Sequence, residues 1–148
     1  MPSTNVRAPH TVLVVDDDPE DREFTQRALE QLGPRVDCKF ASDGDAAIRF
    51  LEAHADADLG RPSVVLLDLN MPRVDGRGVL RYLREREDLR DISLIVLTTA
   101  EDRVEATRCY GLGADAFVTK PSDPRVYLDW VGRAVRFALG PDPEEVSA

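Results

Sequence analysis

Cysteine is scarce in this chain. Cys38 and Cys109 are the only two, they form no CxxC pair, and neither has a histidine nearby. That spacing argues against a disulfide scaffold or a zinc site and is the pattern of reduced, buried thiols in a cytoplasmic protein. Long apolar runs are missing as well: no stretch approaches the ~18 residues of a membrane span, and no leader-like segment opens the chain. Repeats and low-complexity segments are absent. Clustered Lys and Arg are lacking too, and a net charge of −9 opposes a surface that neutralises nucleic-acid phosphates. The expectation is a soluble, cytoplasmic protein with no direct nucleic-acid or membrane contact.

What is present is an ordinary globular composition, 43% hydrophobic and 32% charged over 148 residues. A chain of that length buries roughly two thirds of its unfolded surface in one domain without staples. Residues 1–10 read as a loose polar arm, and 140–148 as an acidic tail too short to be an effector. Between them, short apolar runs alternate with helical spacing. Thr11 to Val15, Val36 to Ala41, Val64 to Leu67, Ile92 to Leu97 and Ala116 to Val118 are continuous enough to be strands buried on both faces.

The first helix is signalled by Asp18 as its cap and Pro19 at its first position, with Phe24, Ala28, Leu29 and Leu32 on one face. A second helix places Ala47, Phe50 and Leu51 inward and leaves His54 solvated. A third, from Val74 to Glu87, turns Val79, Leu80 and Leu83 inward. Glu101 to Tyr110 reads as a weakly amphipathic fourth, and Pro124 to Leu139 as the last. Strands alternating with helices in this way imply βαβ units, right-handed crossovers and a parallel sheet covered on both faces, an α/β doubly wound architecture.

The chemistry gathers at the strand ends. The run Val64-Val65-Leu66-Leu67 ends at Asp68, with Pro72 and Gly76 breaking the backbone beyond it; the first strand ends at Asp16 and Asp17, the fourth at Thr98, the fifth at Lys120. In open α/β sheets this edge is where ligands bind. Singly, each residue has a plain structural reading: a cap or turn for an Asp, a turn former for a Thr, a solvated surface group for a Lys. Together they make a site. Three carboxylates within about 4 Å repel by roughly 1 to 4 kcal/mol per pair unless a cation joins them. Oxygen ligands without imidazole or thiolate favour Mg²⁺ or Mn²⁺ over zinc. Such an ion, with Lys120 for charge and Thr98 for a hydroxyl, suits a phosphoryl group, and an aspartate can be its nucleophile.

The motifs Val14-Val15-Asp16-Asp17-Asp18-Pro19, Leu67-Asp68-Leu69-Asn70-Met71-Pro72-Arg73-Val74-Asp75-Gly76, Leu97-Thr98-Thr99-Ala100, Gly113-Ala114-Asp115-Ala116-Phe117 and Lys120-Pro121 resemble those of the receiver domains of two-component response regulators, over about residues 11–139. The resemblance implies a flavodoxin-like (βα)5 fold with strand order 2-1-3-4-5. It implies that Asp68 accepts a phosphoryl group from a sensor histidine kinase, that Asp17 binds Mg²⁺ directly with Asp16 assisting, and that Asn70 contributes its backbone carbonyl. Lys120 would pair with the phosphoryl group, and its bond to Pro121 would be cis. Thr98 and Phe117 resemble the family's switch pair, with Thr99 as the other reading for the hydroxyl; Ala100 would let water reach the phosphoryl group. The connection from Ala55 to Pro62, the turn at Leu69-Asn70-Met71-Pro72, Asp75-Gly76-Arg77 and the Thr98-Thr99 pair resemble stand-alone regulators paired with bacterial phytochromes.

Output would then come through contacts. In the last helix Leu128, Val131, Val135 and Ala138 form one apolar stripe, and Tyr127, Trp130, Ala134 and Phe137 a second. The second is surplus to one sheet face and is the expected seam of a two-fold homodimer. The rival class is a Mg²⁺-dependent phosphohydrolase with an aspartyl-phosphate intermediate, which usually carries a second Asp where this chain has Asn70.

Overall fold

The computed structural model describes residues 10–55, 60–69, 76–99 and 103–140. In chain order these form β1 (His10–Val15), α1 (Pro19–Glu30), β2 (Val36–Ala41), α2 (Gly44–His54), β3 (Pro62–Asp68), α3 (Gly76–Glu85), β4 (Ser93–Thr98), α4 (Arg103–Gly111), β5 (Ala116–Thr119) and α5 (Pro124–Leu139). The strands make one sheet in the order β2-β1-β3-β4-β5, with every neighbouring pair parallel. This is the flavodoxin-like order expected from the sequence.

The period of two along each strand divides the core. Leu13, Val15, Val65, Leu67, Leu94 and Val96 point to one face, where Leu51, Val79, Leu80 and Leu83 of α2 and α3 and Cys109 of α4 cover them. Val12, Val14, Val64, Leu66, Ile95 and Leu97 point to the other, against Ala28 and Leu29 of α1 and Val131 and Val135 of α5. Both faces of the central strands are dry, which is why they read as unbroken apolar runs.

Caps fix where the helices begin. Asp18, Asp43 and Asp123 each accept a hydrogen bond from a backbone N–H in the first turn of α1, α2 and α5, and Pro19 and Pro124 open α1 and α5 without wasting a donor. The helix expected from Val74 to Glu87 ends at Glu85 and gives way to a short 3-10 turn at Glu87–Leu89; Val74 lies outside the described residues.

Four local expectations are corrected. Tyr127 does not belong to an exposed stripe: it is 6% exposed, because α1 packs on that side of α5 and its Thr25 hydroxyl lies 3.3 Å from the phenol oxygen. The helix is covered by α1 as well as by the sheet, and Tyr127 falls on the α1 side. His54 is half-buried, stacked on Phe50 at 4.1 Å between ring centroids and bonded through Nδ1 to the Phe50 carbonyl at 2.8 Å. Cys38 is half-buried and Cys109 buried; burial, with the charge of Asp37 adding to it, pushes the Cys38 thiol up to about 12. No cis peptide bond occurs among the described residues, so Lys120 and Pro121 are joined in the intrinsically favoured trans form.

Candidate functional site

Three strands deliver carboxyl-bearing or cationic ends to one edge. The Asp16 N–H donates to Ala41 O at 3.0 Å, the Leu69 N–H to Leu97 O at 3.1 Å and the Lys120 N–H to Thr98 O at 2.7 Å. The ladder therefore continues past the strand ends into the site.

Asp16, Asp17 and Asp68 present carboxylate oxygens that all lie within 4.8 Å of one another. Asp16 is fully buried, Asp68 is 2% exposed, and Asp17 faces solvent. Asp16 Oδ1 accepts from the Asp18 N–H at 3.0 Å, but its Oδ2 is buried without a hydrogen-bond partner. Burial pushes the Asp16 carboxyl up to about 7, against the pull of the Asp18 N–H and with the Asp68 charge adding to the rise. A buried acceptor with no donor is costly, and only a proton or a cation supplies what this group lacks. The donor set is all oxygen, two of three carboxylates are shielded, and the third opens to water. These residues fit a hard divalent ion that keeps several waters. Asn70, the other expected ligand, lies outside the described residues.

Lys120 is the site's cation. Its Nζ donates to Asp68 Oδ2 at 3.3 Å and to Asp21 Oδ2 at 3.0 Å. Burial works against the ammonium, but the Asp68 charge and the hydrogen bond and charge of Asp21 outweigh it, so Lys120 is held above the ordinary lysine range. Asp21 was not visible as a site residue: in the first turn of α1 an acid reads as a complement to the helix dipole, and only the fold, which brings that turn within reach of Lys120, reveals its partner.

Thr98 is fully buried, and its hydroxyl donates to Thr99 O at 3.1 Å. Phe117 on β5 is 38% exposed. Phe117, Pro121 and Trp130 line, with Lys120, a groove of about 660 Å³. Trp130 is 43% exposed and Phe137 90% exposed. Tyr127 is not part of this surface; burial is the main reason its phenol is pushed up to about 12. The structure thus gathers Asp16, Asp17, Asp68 and Lys120 in one pocket with Thr98 on the adjoining strand, and separates Tyr127 from Trp130 and Phe137.

Comparison with known proteins agrees with this arrangement. The family model of the response regulator receiver domain matches residues 12–131. The probable methanogenesis regulatory protein FilR2 of Methanothrix harundinacea is 34% identical over 113 residues, 76% of this chain and 73% of its own. Response regulator Rcp1 of Synechocystis is 33% identical over 113 residues, 76% of this chain and 77% of its own. Among solved structures, the phosphorylated cyanobacterial phytochrome response regulator RcpA superposes with a TM-score of 0.80 at 28% identity, covering 90% of this chain and 96% of that one. The Mn(2+)-bound form of Rcp1 gives 0.78 at 29%, covering 90% and 97%.

Proposed function

This chain belongs to the response regulator receiver domain family, and from that premise we propose that Asp68 is its phosphoacceptor, modified by a sensor histidine kinase in a Mg²⁺-dependent reaction. The observation that carries the reading is the buried Asp68 carboxylate, 3.3 Å from Lys120 and crowded by Asp16 and Asp17. Receiver domains bind a divalent ion at such an acidic pocket, and the relative Rcp1 has been crystallised in an Mn(2+)-bound form.

Each residue has a role that follows from its place. Asp16, Asp17 and Asp68 would hold Mg²⁺, with the Asn70 carbonyl as the family resemblance implies. When bound, that ion supplies charge neutralisation at phosphoryl oxygens. Asp68 Oδ forms the new bond to phosphorus while the phosphohistidine P–N bond breaks and its electrons leave with the imidazole. Lys120 neutralises the oxygens of the arriving group, and the strand ends fix the acceptor so that little is spent on orientation.

We read Thr98 and Phe117 as the switch pair: before modification the hydroxyl is engaged by Thr99 O and the ring is partly in solvent. Phosphorylation draws the hydroxyl inward and Phe117 follows into the vacated space, a bistable pair biased by charge. The protein accepts one phosphoryl group and returns it slowly to water, without turning over a small substrate. The phosphohydrolase reading is not favoured, because the family model that matches residues 12–131 is that of the receiver domain.

The kinase is proposed to be a bacterial phytochrome, because RcpA is a cyanobacterial phytochrome response regulator and the similar RtBRR a bacteriophytochrome response regulator. No described helix is long and apolar enough to cross a membrane, and the reading places the chain in the cytoplasm without contact to DNA. Trp130 and Phe137 share one exposed face of α5 and are the proposed seam of a homodimer. Sedimentation of Trp130→Asp should show half the parent mass; an unchanged mass removes the seam.

The deciding experiment is incubation with acetyl phosphate and Mg²⁺ followed by intact mass. The parent should gain one phosphoryl group and Asp68→Asn none. Modification of the variant to the parent's extent rejects Asp68 as acceptor.

A further inference from the structure

Lys120 is needed by whatever negative charge arrives on Asp68, yet its ammonium is divided. Nζ lies 3.0 Å from Asp21 Oδ2 and 3.3 Å from Asp68 Oδ2. Asp21 is not one of the carboxylates clustered with Asp68. It stands in the first turn of α1, so the pair also ties the end of β5 to the helix that follows β1. The lysine side chain is 16% exposed and that of Asp21 36%, and the 3.0 Å contact puts Asp21 in direct competition with Asp68 for the ammonium.

We propose that Asp21 is a positioning residue that restrains Lys120 in the resting protein and gives it up when Asp68 is phosphorylated. The inference rests on Asp68 being the phosphoacceptor. The competition follows from charge. A phosphoryl group brings about −1.5 to −2 to the Asp68 position, and charge-assisted pairing of a single ammonium favours the more anionic partner. Before transfer, Asp21 both occupies a donor of Lys120 and adds a fixed negative charge that opposes an anionic phosphodonor. Both effects slow the reaction. After transfer, the link from β5 to α1 is released, so modification is felt on the α1 side of the sheet as well as at Thr98 and Phe117.

The test uses Asp21→Asn and Asp21→Glu in the full chain. At a fixed concentration of acetyl phosphate and Mg²⁺, Asp21→Asn should be phosphorylated about 3- to 10-fold faster than the parent, the size expected for one like charge about 6 Å away in partly aqueous surroundings. Asp21→Glu, which keeps the charge, should return toward the parent rate. A second measurement reads the restraint itself. The chain has only two lysines, Lys39 and Lys120, so labelling with an amine-reactive ester and peptide mass analysis follows Lys120 against Lys39 as internal control. Lys120 should label several-fold faster in Asp21→Asn, with Lys39 unchanged. Equal labelling of Lys120 in variant and parent overturns the inference, and so does faster labelling without faster phosphorylation. A parent that takes no phosphoryl group overturns the acceptor assignment and this inference with it; a parent that does, matched by an Asp21→Asn that keeps the same rate, overturns the inference alone.

Discussion

At the amino-terminal end of β4 and β5, charge is spent on holding the chain together. The Arg84 guanidinium donates to the carbonyls of Gly113 at 2.8 Å, Arg90 at 3.1 Å and Ile92 at 2.9 Å, and to Asp115 Oδ2 at 2.9 Å. Asp115 Oδ2 also accepts from the Leu94 N–H at 2.7 Å. At the carboxyl-terminal end of the same sheet, three carboxylates crowd within 4.8 Å and one buried oxygen has no donor. The first arrangement satisfies every group it brings together. The second leaves negative charge in excess, which a cation or a proton would offset. A surplus of like charge on rigid strand ends marks a place that waits for a ligand.

That contrast can be broken most forcefully at Arg84. Arg84→Ala strips a charged donor from three carbonyls and should lower stability by about 2 to 3 kcal/mol, read by urea unfolding; a loss under about 0.5 kcal/mol would mean that this end is not the stabilising one. The opposite end should respond to ions instead. Magnesium at 100 times its dissociation constant should raise stability by about 2.7 kcal/mol, and Asp17→Asn should abolish most of that gain; a parent melt indifferent to Mg²⁺ would remove the reason for the crowded carboxylates. Smaller again is the relief of repulsion without metal. Asp16→Asn should be about 1 kcal/mol more stable than the parent in chelator at pH 8, a rise of about 3 °C in a thermal melt.

The pH dependence sharpens the same point. The Asp16 carboxyl rises from 3.8 to about 7 on folding, so the folded state binds its proton more tightly than the unfolded chain does. Stability from this group is complete below about pH 4 and is lost as pH climbs through 7. Metal-free parent should therefore melt higher at pH 6 than at pH 8, and Asp16→Asn should lose that difference. Equal slopes in both proteins would show that Asp16 is not the group responsible.

How far the sequence could be read depended on whether a residue's neighbours lie along the chain or across the fold. The strands were legible because residues such as Val64 to Leu67 are buried on both faces, and burial leaves an uninterrupted apolar run. The α1 start was legible because Asp18 and Pro19 act locally. Asp16, Asp17, Asp68, Thr98 and Lys120 were legible as a group because parallel topology sends every strand's end to one edge. Asp21 and Arg84 were not: each is a charged residue on a helix, and nothing in helical spacing says which distant carbonyl or lysine will face it. Tyr127 failed for the same reason: its place on α5 is visible in the sequence, but α1, which covers it, is not. The trans bond before Pro121 departs from what the family resemblance implied, where neither periodicity nor composition had anything to say.

The side chains that meet at the pocket leave the chain at residues 16, 17, 68 and 120 and become neighbours only through strand order β2-β1-β3-β4-β5. No contiguous fragment contains them all short of nearly the whole domain. Pairings of such long sequence separation carry a loop-closure entropy cost before any contact offsets it, so a chain whose β5 has not joined the sheet lacks Lys120 beside Asp68. Competence to receive a signal is thereby a certificate of completed folding.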